Sequence, residues 1–286
     1  MHQTKCLSAL VGALLLCGCG EMQAQPEQLK DVEQVEQAVV VKKGILVLDR
    51  TGSMGAPRAT GHTRCHDARA QAIDKANEFF DKYKGTALAV WLIDSTVIKL
   101  TGYVDAAAAK NAITSLTPEG CGGSTPLADG ICMAIDTLNA EQKIPGTTNL
   151  ITILSDGGEN SSVGACKGNS NDQFDPGSWR FKARQKAVGA QPYVQINAQY
   201  WSSALDIQSV KKAQNLEPVP PLRDERPTTD VSAQGTCSSQ DVCDHDIFLS
   251  LAADTGGIYD LVRDSNTQFP CTGTMCPAPY YEPIEW

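Results

Sequence analysis

The 286 residues predict an α/β protein built on a mainly parallel, doubly wound sheet. Three observations lead there. Short, continuous apolar runs alternate with stretches of helical periodicity between residues 44 and 262, as expected of strands joined by crossover helices. The runs lack in–out alternation, so they belong in a sheet buried on both faces. One pair of runs is joined only by Asp94-Ser95. So short a link suits a hairpin, which makes one strand an antiparallel edge. The prediction is therefore six strands, one of them antiparallel, with helices on both faces.

The elements follow in order. Gly44–Asp49 is the first buried strand, closed by the turn Thr51-Gly52-Ser53. A helix is predicted over Asp67–Tyr83, with Ala70, Ile73, Ala76, Phe79, Phe80 and Tyr83 on one face. Ala87–Ile93 and Thr96–Leu100 form the hairpin, with Trp91 in the core. Asp105–Leu116 and Leu127–Leu138 are helical. Leu150–Leu154 is a fourth strand, Ser178–Val188 a helix and Tyr193–Tyr200 a fifth strand. Residues 201–244 carry Pro218, Pro220, Pro221 and Pro227 and lack clear periodicity. They read as an inserted excursion, with one helix near Asp206–Asn215. Asp244-His245-Asp246 reads as the N-cap region of a helix over Asp246–Ala253, where acidic side chains suit the dipole. Thr255-Gly256-Gly257 stops that helix, and Ile258–Val262 is the last strand. One folded domain, 43–263, accounts for these elements; residues 264–286 are a Cys/Pro-rich tail.

Composition and the N-terminus limit the function classes. The chain is 42% hydrophobic and 20% charged, an ordinary globular balance, with net charge −9. An acidic chain does not neutralise phosphates, which argues against nucleic acid as a partner. Residues 1–18 begin with His2 and Lys5 and continue into the apolar stretch Leu7–Leu16. That run is short for a bilayer span and suits a secretory signal. It ends in Leu16-Cys17-Gly18-Cys19, which resembles the lipobox of bacterial lipoproteins. The resemblance implies acylation of Cys19, since Gly18 is the small residue that precedes it, whereas Cys17 follows the bulky Leu16. Ordinary cleavage near Ala24 is the alternative. Residues 19–42 are Gln- and Glu-rich at first and read as a flexible tether, with a short helix at Leu29–Val39.

Eight cysteines remain beyond the signal and Cys19: Cys65, Cys121, Cys132, Cys166, Cys237, Cys243, Cys271 and Cys276. An even number in an exported chain points to disulfides, whose connectivity spacing does not settle. Cys237/Cys243 and Cys271/Cys276 are the easiest local pairs. Cys65 with Cys121 and Cys132 with Cys166 are further candidates. Zinc is the rival, because His62, Cys65, His66, Cys243 and His245 are ligand types. Their spacings match no common zinc pattern.

Three strand-to-loop junctions carry oxygen side chains: Asp49-Arg50-Thr51-Gly52-Ser53, Gly122-Gly123-Ser124-Thr125-Pro126 and Ser155-Asp156-Gly157. Any one alone is ordinary turn chemistry. With strand order 3-2-1-4-5-6, however, the strands ending in Asp49 and Asp156 are neighbours. Their carboxyl ends then form the switch-point crevice where ligands bind.

At these residues the chain resembles the von Willebrand factor type A domain, which has a Rossmann-like fold and a metal-ion-dependent adhesion site. That site has the form Asp-x-Ser-x-Ser, a distant Thr and a distant Asp. Here the positions are Asp49, Thr51, Ser53, Thr125 and Asp156. Leu251–Tyr259 is similar to the approach to the family's last strand. Thr51 departs from the usual Ser but keeps the hydroxyl. Residues 201–244 and the cysteines fall outside the pattern. The resemblance implies that Thr51, Ser53 and Thr125 bind a cation, with Asp49 and Asp156 acting partly through water. An all-oxygen set suits a hard ion, Mg²⁺ or alternatively Ca²⁺ or Mn²⁺. An ion held by few carboxylates accepts one more anionic oxygen, such as an Asp or Glu side chain of a protein partner. Arg50, Gly123, Gly157 and Glu159 are expected at the ligand rim.

The leading functional expectation is a lipid-anchored envelope protein that grips a protein partner, in adhesion or envelope assembly. Gly20 is not the Asp that signals inner-membrane retention, so the outer membrane is expected in a Gram-negative cell. A metal-dependent hydrolase with Asp49 as nucleophile is the alternative. It lacks a second acid, because Thr51 stands where Asp-x-Asp chemistry needs one, and no Gly-x-Ser-x-Gly elbow appears. A subunit of an AAA+ machine is a third class, which the export signal opposes.

Overall fold

The computed structural model describes residues 42–168, 175–203 and 240–265. Its six strands are β1 (Lys43–Asp49), β2 (Ala87–Asp94), β3 (Thr96–Lys99), β4 (Asn149–Ser155), β5 (Val194–Ser202) and β6 (Tyr259–Arg263). They form one sheet in the order β3-β2-β1-β4-β5-β6. All neighbours are parallel except β2 and β3, which pair antiparallel from Asp94↔Thr96 to Trp91↔Lys99. The fold class and the single antiparallel edge strand are those that the alternating runs predict.

The helices are α1 (Arg64–Asp81), α2 (Ala106–Thr114), α3 (Leu127–Asn139), α4 (Trp179–Gly189) and α5 (Gln240–Asp254). They cover both faces, and the strands divide their side chains between two cores. Ile45 and Val47 of β1, with Ile151 and Ile153 of β4, join the core built by α3, α4 and α5. Leu46, Leu48, Leu150 and Leu154 face the core that contains Ala68, Ala72, Ala76 and Phe79 of α1 and Ala109 and Ile113 of α2. Every residue of β4 is buried. This two-sided burial explains why the runs are continuously apolar.

Local signals set the helix ends. Thr63 accepts a bond from the His66 backbone N–H at 3.2 Å, and Asp105 one from Ala108 at 2.9 Å. Such caps satisfy donors that the first turn leaves open. At the end of α5, Gly256 has φ +68° and donates to Ala253, while Gly257 donates to Ala252 at 2.8 Å. That double closure is a Schellman stop, which needs the left-handed residue glycine tolerates.

Three boundaries correct the sequence reading. Helix α1 begins at Arg64 rather than Asp67 because Thr63 caps it. Strand β5 runs on to Ser202 and buries Trp201 completely, and α5 starts at Gln240. The excursion predicted over 201–244 is therefore shorter at both ends. Asp244-His245-Asp246 lies inside α5 rather than at its cap. The expected lipidation site, the tether up to residue 41, the helix near Asp206–Asn215 and the C-terminal tail beyond residue 265 lie outside the described residues, as do Cys237, Cys271 and Cys276.

Cys65 is bonded to Cys121, and Cys132 to Cys166. Cys243 is also disulfide-bonded. Among the described residues, no helix is long and apolar enough to cross a membrane.

Candidate metal-binding site

The site is assembled where β1, β2 and β4 end together. Asp49 closes β1 and is completely buried. One of its oxygens, Oδ1, accepts from the Thr51 backbone N–H at 2.9 Å and from Thr51 Oγ1 at 2.7 Å. The other, Oδ2, accepts from Ser155 Oγ at 2.6 Å. Ser53 lies on the short 3-10 turn Gly52–Gly55, and its Oγ donates to Asp156 Oδ1 at 2.8 Å. Thr51 Oγ1 and Ser53 Oγ are 3.5 Å apart. Asp49, Thr51, Ser53 and Asp156 thus form one contiguous cluster.

Thr125 reaches the same end of the sheet through its loop. Gly52 N–H donates to Gly123 O at 3.2 Å, and Ser95 N–H donates to Ser124 O at 3.1 Å. Thr125 is buried, and Asn160 clasps its backbone from both sides: Oδ1 accepts from the Thr125 N–H at 2.8 Å, and the Asn160 N–H donates to the Thr125 carbonyl at 3.1 Å. Gly123 has φ +80°, and a Cβ there would collide with the Ser95 side chain. Only glycine lets the loop approach so closely.

Two expected rim residues also hold their own loops. Arg50 is not a solvated side chain. It is 4% exposed, and its Nη2 donates to the carbonyls of Thr117 and Gly120, each at 2.6 Å. It ties the glycine-rich loop to the end of β1. Glu159 accepts from the Ala128 N–H at 2.6 Å, from the Ser161 and Ser162 N–H groups, and from Ser162 Oγ. It caps α3 and closes its own loop. Gly157 has φ +79° and packs against Asp244, whose Oδ2 accepts from the Gly158 N–H at 2.9 Å.

Two residues that sequence reasoning passed over complete the cluster. Ser155 was visible in Ser-Asp-Gly but had no role until its hydroxyl met Asp49. Arg64 carried no signal at all. Its Nη1 donates to Asp156 Oδ2 at 2.7 Å, while Nε and Nη2 grip Asp264 at 2.9 and 2.6 Å.

The electrostatics follow from burial. Desolvation, then the nearby Asp156 charge, pushes the Asp49 carboxyl up to about 7, against the pull of Ser155 and Thr51. Desolvation also raises Asp156, although Arg64 and Ser53 oppose it. Burial alone would lower Arg64, but Asp264 and Asp156 reverse this and hold its charge firmly. Two buried carboxylates thus sit close together among hydroxyls. Arg64 already offsets part of the Asp156 charge, while Asp49 has only neutral donors. The oxygen ligands around Asp49 suit a hard divalent cation, whose charge would relieve the remaining repulsion.

Residues 45–159 match the von Willebrand factor type A domain. The matched segment runs from β1 to the loop after β4 and contains Asp49, Thr51, Ser53, Thr125 and Asp156. Solved structures similar to this chain include three with the following values. The conserved hypothetical protein BatB from Bacteroides thetaiotaomicron is 17% identical, with TM-score 0.45, over 79% of this chain and 91% of that one. The PilB minor pilin from Streptococcus sanguinis is 10% identical, with TM-score 0.48, over 79% of this chain and 58% of that one. A von Willebrand factor type A protein from Catenulispora acidiphila is 16% identical, with TM-score 0.40, over 76% of this chain and 43% of that one. No curated protein matches the chain in sequence.

Proposed function

We propose that this von Willebrand factor type A domain binds a protein partner through a divalent cation, Mg²⁺ first, held by Asp49, Thr51, Ser53, Thr125 and Asp156. The observation that carries the reading is the buried Asp49 carboxylate beside Asp156, with Thr51, Ser53 and Ser155 hydroxyls around them. A bound cation would supply the positive charge that draws in an Asp or Glu carboxylate of the partner. The chain's own residues orient the site. Thr51 and Ser155 hold Asp49, Arg64 and Ser53 hold Asp156, and Asn160 fixes the backbone at Thr125. Both Asp49 oxygens are engaged by hydroxyl donors, an arrangement that suits a ligand held still better than a hydrolase nucleophile.

A melting curve with and without Mg²⁺ tests the site. At a hundredfold excess over Kd the wild type should gain about 2.7 kcal/mol of stability. Asp156→Ala should gain none and should lose partner capture in a Mg²⁺ pull-down that EDTA abolishes. An equal Mg²⁺ shift in both proteins would put the ion elsewhere.

The same reading places the domain on an envelope membrane through acylated Cys19, in the outer membrane of a Gram-negative cell. Leu16-Cys17-Gly18-Cys19 at the end of the apolar run supports it. Wild-type protein should fractionate with membranes and take up labelled fatty acid, and Cys19→Ser should do neither. A mature N-terminus beyond Ala24 without lipid would refute this anchoring.

A further inference from the structure

A second group of ligand atoms lies beside the crevice, on side chains that the site above does not use. His62, His66 and Glu119 each offer one ligand atom, and these atoms lie within 4.8 Å of one another. We infer that His62, His66 and Glu119 form a separate site for a borderline divalent cation, with Zn²⁺ the best match.

The chemistry differs from that of the crevice. Two imidazoles and one carboxylate form a mixed nitrogen–oxygen set, which favours Zn²⁺ over Mg²⁺. Three protein ligands leave a fourth position open to water or to a donor from a partner. Tetrahedral Zn²⁺ with bonds of about 2.0–2.1 Å needs donor atoms roughly 3.3 Å apart. Closing from 4.8 Å takes only rotamer changes, because His62 and Glu119 are exposed and His66 is half-buried.

The scaffold is built to hold the three together. The imidazole rings of His62 and His66 are stacked, with centroids 3.9 Å apart and planes 13° from parallel. A bound ion lies in the plane of each ring that ligates it, so the exposed His62 ring must turn out of this stack when the ion binds. Backbone bonds fix the turn that carries His62: its carbonyl accepts from the Arg58 N–H at 2.8 Å, and its N–H donates to Thr60 Oγ1 at 3.3 Å. Glu119 comes from a distant loop, which the Cys65–Cys121 disulfide staples to the first turn of α1. Thr63 Oγ1 donates to the Glu119 carboxylate across the same gap.

An outer support is present as well. His66 Nδ1 lies 3.1 Å from Asp67 Oδ1. Asp67 is buried, and its other oxygen accepts from Arg58 and, at 2.9 Å, from Thr60 Oγ1. A carboxylate accepts, so Nδ1 is the donor in this contact, which leaves Nε2 of the neutral ring as the atom that would face a metal. This carboxylate–histidine arrangement is the usual outer support of a metal-bound imidazole. Asp67 and Glu119 also offset the positive end of α1, which would otherwise disfavour a cation there.

The test titrates the full chain calorimetrically with Zn²⁺ in saturating Mg²⁺, so that the crevice ion is already supplied. One Zn²⁺ should bind per chain. His62→Ala and His66→Ala should each weaken it at least tenfold, with melting temperatures unchanged in the absence of Zn²⁺. Asp156→Ala should bind Zn²⁺ as the wild type does, which separates this site from the proposed adhesion site whatever becomes of that one. Co²⁺ should give a visible d–d absorption in the wild type that His66→Ala loses. Absence of stoichiometric Zn²⁺ binding would overturn the site. So would undiminished binding in both histidine variants, or loss of binding in Asp156→Ala alone.

Discussion

Two buried aspartates, Asp49 and Asp244, are kept in the interior by opposite means. Asp244, on α5, is 1% exposed and paired with the Arg180 guanidinium of α4, which is itself fully buried. Its second oxygen takes the Gly158 N–H at 2.9 Å. Asp49 is as deeply buried, yet its partners are the neutral donors of Thr51 and Ser155, and its charged neighbour is another carboxylate. Among the described residues no cation touches it. The first arrangement is electrically complete and joins two helices to the loop beneath them. The second can hold negative charge only at a cost, and that deficit is what a bound cation would correct. The difference separates a buried charge that serves the fold from one that serves binding.

The largest expected effect comes from breaking the complete pair. Arg180→Met keeps most of the volume but removes the guanidinium that pairs with the buried Asp244. Stability should drop by about 3–5 kcal/mol, a fall in Tm on the order of 10 °C. A drop below about 1 kcal/mol in a denaturant titration would mean that Asp244 finds water, and the contrast with Asp49 would dissolve.

Next is the pH dependence of the metal-free protein. The Asp49 carboxyl is raised to about 7 when folded against 3.8 when not. The folded state therefore binds the extra proton, and this contribution to stability is complete below about pH 4. It is lost as pH rises through about 7, by up to about 4 kcal/mol. Asp49→Asn, which keeps the shape and removes the charge, should flatten that decline and be the more stable protein at pH 8 without metal. Saturating Mg²⁺ should flatten the wild-type curve too. Parallel curves for wild type and Asp49→Asn between pH 4 and 8 would show that Asp49 is not the strained group.

The smallest effect sharpens the same point. Ser155→Ala removes the hydroxyl that donates to Asp49 Oδ2, leaving one buried oxygen unsatisfied. The expected cost is about 1–3 kcal/mol at pH 8, and less at pH 5, where Asp49 carries its own proton. An equal cost at both pH values, measured by urea titration, would assign Ser155 to packing rather than to solvating the charge.

The sequence by itself determined a great deal. Continuous apolar runs announced strands buried on two faces, and their alternation with helical stretches announced parallel crossovers. In the strand order usual for a doubly wound sheet the ends of β1 and β4 adjoin, which set Asp49 beside Asp156 as an expectation. Asp105 and Gly256 acted through a cap and a stop that involve only near neighbours. These signals are local or periodic, and local energetics writes them directly into residue order.

Tertiary structure alone decided the rest. It made Arg50 a tie for the glycine-rich loop and Glu159 a cap for α3. It brought Arg64 to Asp156, turned the Ser155 hydroxyl onto Asp49 and set Glu119 beside two histidines. It gave Cys65 to Cys121 and Cys132 to Cys166, and it placed Asp244 inside α5 against Arg180. Each outcome depends on how helices dock on the sheet and on strand register, across separations of tens of residues. A hydrogen bond or ion pair over such a distance has no period and no motif. It exists only once the apolar faces have packed and brought its two ends within reach.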